Sequence, residues 1–248
     1  MVQSCLYRMG GFRRYSFTEV EAYCALFKGV FWAAMKIRTV NDLIDKIGDD
    51  RVWRLREISS LYMYCQKKGD GEIPLRAAWR SFVPIAYAHW EGFVKKSSHY
   101  YLEFVASQSL MLSELNINLL AFYLHTRYKN NIGSSKPHSI IDLCKEIEND
   151  GSKKISIKYK DVISTKSNLN YEIFVDICKT LGIDWNEFAS KEKFIDRDLL
   201  SKRNHIAHGE DEDMKFSDVE QIKSEVVYLI DTFRNKIDNA AVTKAYRR

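Results

Sequence analysis

The chain has 248 residues, of which 46% are hydrophobic and 29% are charged, with 11 glycines and only 3 prolines. This composition excludes a disordered, collagen-like or low-complexity protein, and the small number of turn residues favours helices over a β-sandwich. The 38 lysines and arginines exceed the 33 acidic residues, so the net charge is +5. A surplus of this size permits a polyanionic partner without requiring one.

The first 34 residues show no clean hydrophobic period, whereas a regular pattern begins at Met35. We therefore expect residues 1–34 to be an N-terminal extension, with Met35 as the natural initiator, and residues 35–248 to form a single helical domain. The apolar stretch at residues 22–35 contains Lys28 and is too short to span a membrane. We expect a cytoplasmic chain that makes no membrane contact.

Apolar residues at spacings of three and four predict two short amphipathic helices soon after Met35. The longest helix is expected at residues 83–107, with Pro84 at its entry, because proline suits the first turn of a helix and breaks an interior. Little of its circumference is fully polar, so it should lie at the centre of the bundle. Further helices are expected near residues 112–128, 140–147, 169–181 and 217–237.

One segment departs from the helical period. Ile155, Ile157 and Tyr159 alternate strictly with polar residues, as the side chains of a strand do. The sequence therefore predicts an all-α fold with one short extended or β excursion near residues 154–163.

Two local signals mark helix ends after this excursion. Gly182 can end the preceding helix in the left-handed conformation. Asp184 and Glu187 have the spacing of a capping box, which predicts a helix that runs from there towards His208.

The familiar motifs of nucleotide-binding loops, zinc peptidases and serine hydrolases are absent from the sequence, and the five cysteines form no Cys-x-x-Cys pair. We expect no cofactor and no metal site. One dense polar cluster remains at residues 196–210, and it contains Arg203 and His208. An arginine offers a permanent cationic fork to a phosphate, and a histidine can take the proton of a ribose 2′-hydroxyl. The pair therefore has the chemistry for RNA cleavage.

Five helical positions place Arg203 and His208 about 140° apart, so one regular helix cannot direct both at a single atom. Two solutions are open: the helix unwinds at His208, which Gly209 permits, or a second copy of the chain completes the site. The same residues are also typical of an ordinary helix C-terminus, where cations interact favourably with the helix dipole.

Three blocks of sequence resemble the MAE-type HEPN-like nuclease family of the HEPN superfamily (higher eukaryotes and prokaryotes nucleotide-binding). They begin at Trp53, Tyr87 and Asp196, and the last contains the Arg-x4-His signature, Arg203-Asn-His-Ile-Ala-His208. The similarity extends over residues 35–240. It implies a helical bundle that dimerises through the motif helices, and a metal-independent endoribonuclease that leaves a 2′,3′-cyclic phosphate, in a prokaryotic defence or toxin–antitoxin system with a partner protein.

Carried over to this chain, the resemblance makes Arg203 and His208 the catalytic pair, with Asn204 as the polar neighbour and Glu91 as an acidic partner. Glu91 is expected either to join the site or to form an ion pair with Arg203 or Lys95. The alternative function is an inactive HEPN module that dimerises and docks a protein or nucleotide, and the acidic residues 210–213 favour it because they repel phosphate. Candidate RNA-binding side chains are Lys202, His205, Lys154, Lys158 and Lys160.

Overall fold

The described part of the chain from Ile37 to Arg248 forms one compact unit. The structure, a computed structural model, describes residues 36–66, 72–132, 141, 144, 145, 148, 154–159, 162–166 and 168–248. The expected extension at residues 1–34 and most of the expected helix at 140–147 lie outside these residues.

The described residues form an all-α fold, as expected, and no strand occurs among them. None of the described helices is both apolar enough and long enough to cross a membrane. The α-helices that the described residues bound at both ends are α1 (Val40–Gln66), α2 (Glu72–Ser107), α3 (Ile117–Ile132), α4 (Tyr171–Leu181), α5 (Lys202–Ala207) and α6 (Phe216–Val242).

The long helix α2 lies at the centre, packed against α1 and α6. Its Trp90 is fully buried, with ring centroids 5.2 Å from Phe174 of α4 and 6.2 Å from Phe233 of α6. This aromatic cluster joins three helices in one core. The expected start near residue 83 is wrong, because Pro84 lies inside the helix. Burial of the flanking Val83 and Tyr87 helps to offset the lost backbone hydrogen bond.

Helix α1 is one continuous helix rather than the two short ones expected. Its buried stripe includes Leu43, Ile47 and Ile58, but Asp50 and Arg54 occupy the middle of it. The carboxylate of Asp50 accepts a hydrogen bond from Arg54 at 2.6 Å and lies 2.8 Å from the ammonium of Lys96 on α2. The buried stripe therefore continues through a charged pair, which interrupts the apolar period in the sequence.

Gly92 of α2 gives Arg54 the space to reach this network. A Cβ atom at Gly92 would lie 2.8 Å from Nη1 of Arg54. Because Asp50 holds that guanidinium in a buried position, we expect Gly92→Ala to destabilise the fold by about 1–3 kcal/mol. Urea unfolding would measure the change.

Gly48 of α1 is the matched control for this prediction. It is also a glycine within a helix, but the nearest atom to its added Cβ is 4.0 Å away. Gly48→Ala should stabilise the fold by about 0.5–1 kcal/mol because alanine favours the helix. Equal effects of the two substitutions would contradict the steric argument.

The excursion near residues 154–163 is extended but forms no sheet among the described residues. Ile157 is buried and Ile155 and Tyr159 are half-buried, whereas Lys154 and Lys158 are exposed, so the predicted alternation is present. Among the described residues, the β-pairing of this segment consists of one antiparallel bridge between Lys154 and Met111.

Helix α4 ends as predicted, with Gly182 in the left-handed region at φ 71°. The predicted capping box after it is wrong. The carboxylate of Asp184 accepts the N–H of Asn186, while the carboxylates of Asp184 and Glu187 both pair with Lys236 of α6. The long-range ion pairs replace the local capping interaction.

The segment that carries the polar cluster is helical throughout residues 186–207, which we call the motif helix. It passes from a 3₁₀ turn, Asn186–Lys191, through a π-helical stretch, Phe194–Ser201, into α5. Its apolar residues Leu199 and Leu200 are buried in the protomer core. Asp196 accepts the N–H of Tyr171 at the start of α4 at 2.7 Å, which fixes this segment to its neighbour and places Arg203 beside α2.

Candidate active site

Arg203 is held in place by one aromatic ring and two amides. Its guanidinium carbon lies 5.0 Å from the ring centroid of Tyr87 on α2. Nη1 donates hydrogen bonds to the side-chain oxygens of Asn168 at 3.0 Å and Asn204 at 2.7 Å. Cation–π contact and two hydrogen bonds orient the group. Within the described residues the other N–H groups make no further hydrogen bond, so they are free to bind an anion.

The ring of Tyr87 packs against the guanidinium of Arg203. Tyr87 is 1% exposed, and its hydroxyl accepts the N–H of Leu169 at 2.6 Å and lies near the carboxylate of Glu91. Burial, with the nearby Glu91, raises the pKa of Tyr87 to about 12. The phenol therefore stays protonated and neutral around neutral pH.

Glu91 joins this cluster without forming the ion pair expected from the sequence. Its carboxylate accepts a hydrogen bond from the Thr165 hydroxyl at 2.5 Å and lies near the phenol of Tyr87. No basic side chain of the described residues lies within ion-pair distance, neither Arg203 nor Lys95. Glu91 is thus linked to Arg203 through the ring of Tyr87.

His208 ends the motif helix, which is the first of the two solutions open from the sequence. Its backbone N–H still bonds to the carbonyl of Asn204, whereas Gly209 adopts the left-handed conformation at φ 81°. The N–H groups of Gly209 and Glu210 return to the carbonyls of Ile206 and His205, the pattern of a Schellman motif. The imidazole is exposed and makes no hydrogen bond or ion pair with any described residue. It is accessible for proton transfer.

The acidic residues after His208 are partly neutralised by arginines of α2. Asp211 lies 2.9 Å from Arg76 and 3.5 Å from Arg80, and Asp213 lies 3.9 Å from Arg76. Arg80 also donates to the backbone carbonyl of Glu210 at 2.5 Å. These contacts reduce the repulsion that the acidic run would exert on a phosphate.

The comparison with known families agrees with this fold. The sequence model of the family described as RiboL-PSP-HEPN matches residues 49–239, well over half of the chain. The chain belongs to the RiboL-PSP-HEPN family. This match confirms the HEPN superfamily expected from the sequence, although the matching family within it is RiboL-PSP-HEPN rather than the MAE-type family. No curated protein and no solved structure matches. Membership of a HEPN family indicates an RNA-related, nuclease-type function.

Two of the expected RNA-binding side chains of this HEPN domain already have acidic partners. His205 lies 3.1 Å from Glu212 through Nδ1 and 4.0 Å from Glu210 through Nε2. Lys202 lies 3.9 Å from Asp218. Both are therefore less available to a phosphate than the free N–H groups of Arg203.

The other expected RNA-binding lysines make no described contact with the Arg-x4-His motif at residues 203–208. Lys154 and Lys158 are exposed. No hydrogen bond or ion pair joins either of them to Arg203 or to the side chains that hold it, Tyr87, Asn168 and Asn204, which we call the Arg203 cluster. Lys160 lies outside the described residues. Their role in binding RNA stays a prediction.

Sequence reasoning missed how the HEPN motif is supported. Tyr87 was visible only as part of a similar block, although it lies one helical turn before Glu91 and so shares its face. Asn168 and Thr165 lie in a segment without any hydrophobic period, and no local signal identifies them.

Proposed function

We propose that this chain is a metal-independent endoribonuclease with Arg203 and His208 as its catalytic residues. His208 takes the proton of a ribose 2′-hydroxyl, the resulting oxygen attacks the adjacent phosphorus, and the bond to the 5′-oxygen breaks. The departing 5′-oxygen takes a proton from water, so the products are a 2′,3′-cyclic phosphate and a 5′-hydroxyl. Arg203 stabilises the negative charge on the phosphate oxygens during this step.

The observation that carries the proposal is the contrast between the two side chains. The guanidinium is fixed by Tyr87, Asn168 and Asn204, and the imidazole is exposed at a helix end without a partner among the described residues. A fixed cation and an accessible base five residues apart suit phosphate chemistry better than a purely structural helix end. Asn204 and Glu91 act as positioning residues, since they reach Arg203 directly or through Tyr87.

We further propose that the active unit is a homodimer. Five helical positions set Arg203 and His208 about 140° apart, and the backbone N–H of His208 is still bonded to the carbonyl of Asn204 in the last helical turn. A two-fold axis beside the motif helices would bring two copies of the pair into one cleft. Because Leu199 and Leu200 are used in the protomer core, the interface would include the half-buried Ile206 and the polar face of α5. A prokaryotic defence or toxin–antitoxin system, with an antitoxin as a partner, is the setting that we propose.

The test is a cleavage assay in EDTA with single-stranded and structured RNAs. We expect wild-type protein to cut RNA and to leave 2′,3′-cyclic phosphate and 5′-hydroxyl ends, which enzymatic end-labelling and mass spectrometry identify. The His208→Ala protein is the control for a contaminating nuclease. Absence of cleavage by wild-type protein across all the RNAs would contradict the proposal and favour an inactive HEPN interaction module.

A further inference from the structure

A cleft of about 330 Å³ opens along α2, beyond the Arg203 cluster. Its volume falls within the range of small-molecule sites, about 300–1,000 Å³. The described residues that line it are Gly92, Lys95, Lys96, His99, Tyr159 and Ile163. Four of them come from α2, and the other two, Tyr159 and Ile163, come from the described residues on either side of positions 160 and 161.

The charge of the cleft is positive where it faces solvent. Lys95 is exposed, and no carboxylate of the described residues lies within ion-pair distance of it. The ammonium of Lys96 lies 2.8 Å from Asp50, but the same carboxylate also holds Arg54. One carboxylate between two cations leaves a surplus of positive charge. None of the lining residues that the structure describes is acidic.

An aromatic wall faces these lysines. His99 Nδ1 lies 2.9 Å from the backbone oxygen of Tyr159, and because a carbonyl only accepts, Nδ1 carries the proton. The two rings have centroids 5.4 Å apart. Glu103 lies 3.9 Å from Nε2 of His99 but does not line the cleft. Half-buried Tyr159 thus presents a held aromatic side chain, the kind of surface on which bases of single-stranded RNA stack.

The cleft and the candidate active site lie along the same face of α2. Lys95 and His99 follow Glu91 at spacings of four and eight residues, so the three lie on the same face of α2. From Tyr87 to His99 the rise is about 18 Å along the helix axis. A strand held at Arg203 and running along α2 would reach this cleft within a few nucleotides.

We propose that this cleft is a second RNA subsite, which binds one nucleotide of a single-stranded segment away from the scissile phosphate. Lys95, aided by Lys96, binds the backbone phosphate, and Tyr159 stacks on the base. The choice of RNA as the ligand rests on the proposed function. The binding itself requires neither His208 nor cleavage.

The test measures binding of a fluorescein-labelled hexamer of 2′-O-methyluridine, which lacks the attacking hydroxyl. Fluorescence anisotropy monitors the binding at several salt concentrations. Lys95→Gln should weaken binding about fivefold and make the slope of log K against log salt shallower by about 0.7. Tyr159→Leu should weaken binding about tenfold, whereas Tyr159→Phe keeps the ring and should bind like wild type. Melting temperatures would confirm that each variant is folded.

Lys179→Gln is the matched control. Lys179 is an exposed lysine of α4 that lies over Trp185, away from the cleft, and its replacement should leave the affinity unchanged. Wild-type affinity in both Lys95→Gln and Tyr159→Leu, or no binding of the hexamer by wild type, would overturn the subsite. Binding that depends on Lys95 and Tyr159 in a chain that cuts no RNA would uphold the subsite while removing the proposed function.

Discussion

Replacing Arg203 by alanine should leave a folded, dimeric chain that cleaves RNA at least about 100-fold more slowly than wild type. The guanidinium lies on Tyr87 and is half-buried, so its loss removes the phosphate cation without opening the core. Arg203→Lys should recover little activity, because an ammonium lacks the planar fork that the ring and the two asparagines orient. Initial rates with a saturating RNA substrate, together with circular dichroism, measure both statements.

His208→Ala should cleave RNA about 100-fold or more slowly than wild type, because the general base is missing. His205→Ala is its control, because that imidazole is already paired with Glu212, and it should lose far less activity. Full activity in His208→Ala would refute the mechanism.

Mixing the two inactive chains distinguishes a shared site from separate ones. A dimer of one Arg203→Ala chain and one His208→Ala chain still contains one intact arginine and one intact histidine. If the cleft draws them from different protomers, some activity should return, whereas sites confined to one chain should recover none. A stable monomer that cleaves at the full rate would end the shared-cleft argument.

The largest loss of stability is expected from Asp50→Asn. The Asp50 side chain is 1% exposed and contacts Arg54, Lys96 and Trp53. Removing one charge from a buried ion pair costs about 3–5 kcal/mol, because the partner charge stays buried. Asp49→Asn, at the exposed neighbouring position, should change the free energy of unfolding by less than about 0.5 kcal/mol.

The effect of Asp50→Asn should also depend on pH. Burial alone would raise the pKa of Asp50, but the hydrogen bonds from Arg54 and Lys96 outweigh it and hold the pKa below its ordinary value of 3.8. A carboxylate with a lowered pKa contributes stability above that ordinary value and loses it as the pH falls through the folded-state pKa. The difference between wild type and Asp50→Asn should therefore shrink in acid below about pH 4. A difference that is constant from pH 7 to pH 3 would contradict this account.

The sequence predicted the parts of the fold that follow local rules. Gly182 and Gly209 end helices in the left-handed conformation, and the excursion that begins at Lys154 alternates as expected. The single helix α1 was missed because Asp50 and Arg54 interrupt its apolar stripe, and Pro84 was misread because packing overrides its helix-breaking tendency.

The candidate site divides in the same way. Arg203 and His208 are visible as a motif, and the helix end at His208 follows from the glycine after it. The contact of Arg203 with Tyr87, and its hydrogen bond to Asn168, join residues that are far apart in the chain. No period or spacing reports such contacts, since they depend on how the helices pack.

The helix end at Gly209 bears on how related sequences should be compared. Apart from its chain neighbours, no atom of the described residues lies within 4 Å of a Cβ built at this position, so a side chain would have room, but φ of 81° strains every residue with a Cβ. A side chain at Gly209 is therefore disfavoured by the shape of the backbone, and this constraint does not depend on whether the chain cuts RNA. If His208 is the general base, the need for a histidine at this position ends where catalysis is lost. Relatives that retain the glycine but vary at the histidine would be expected to keep the fold without RNA cleavage.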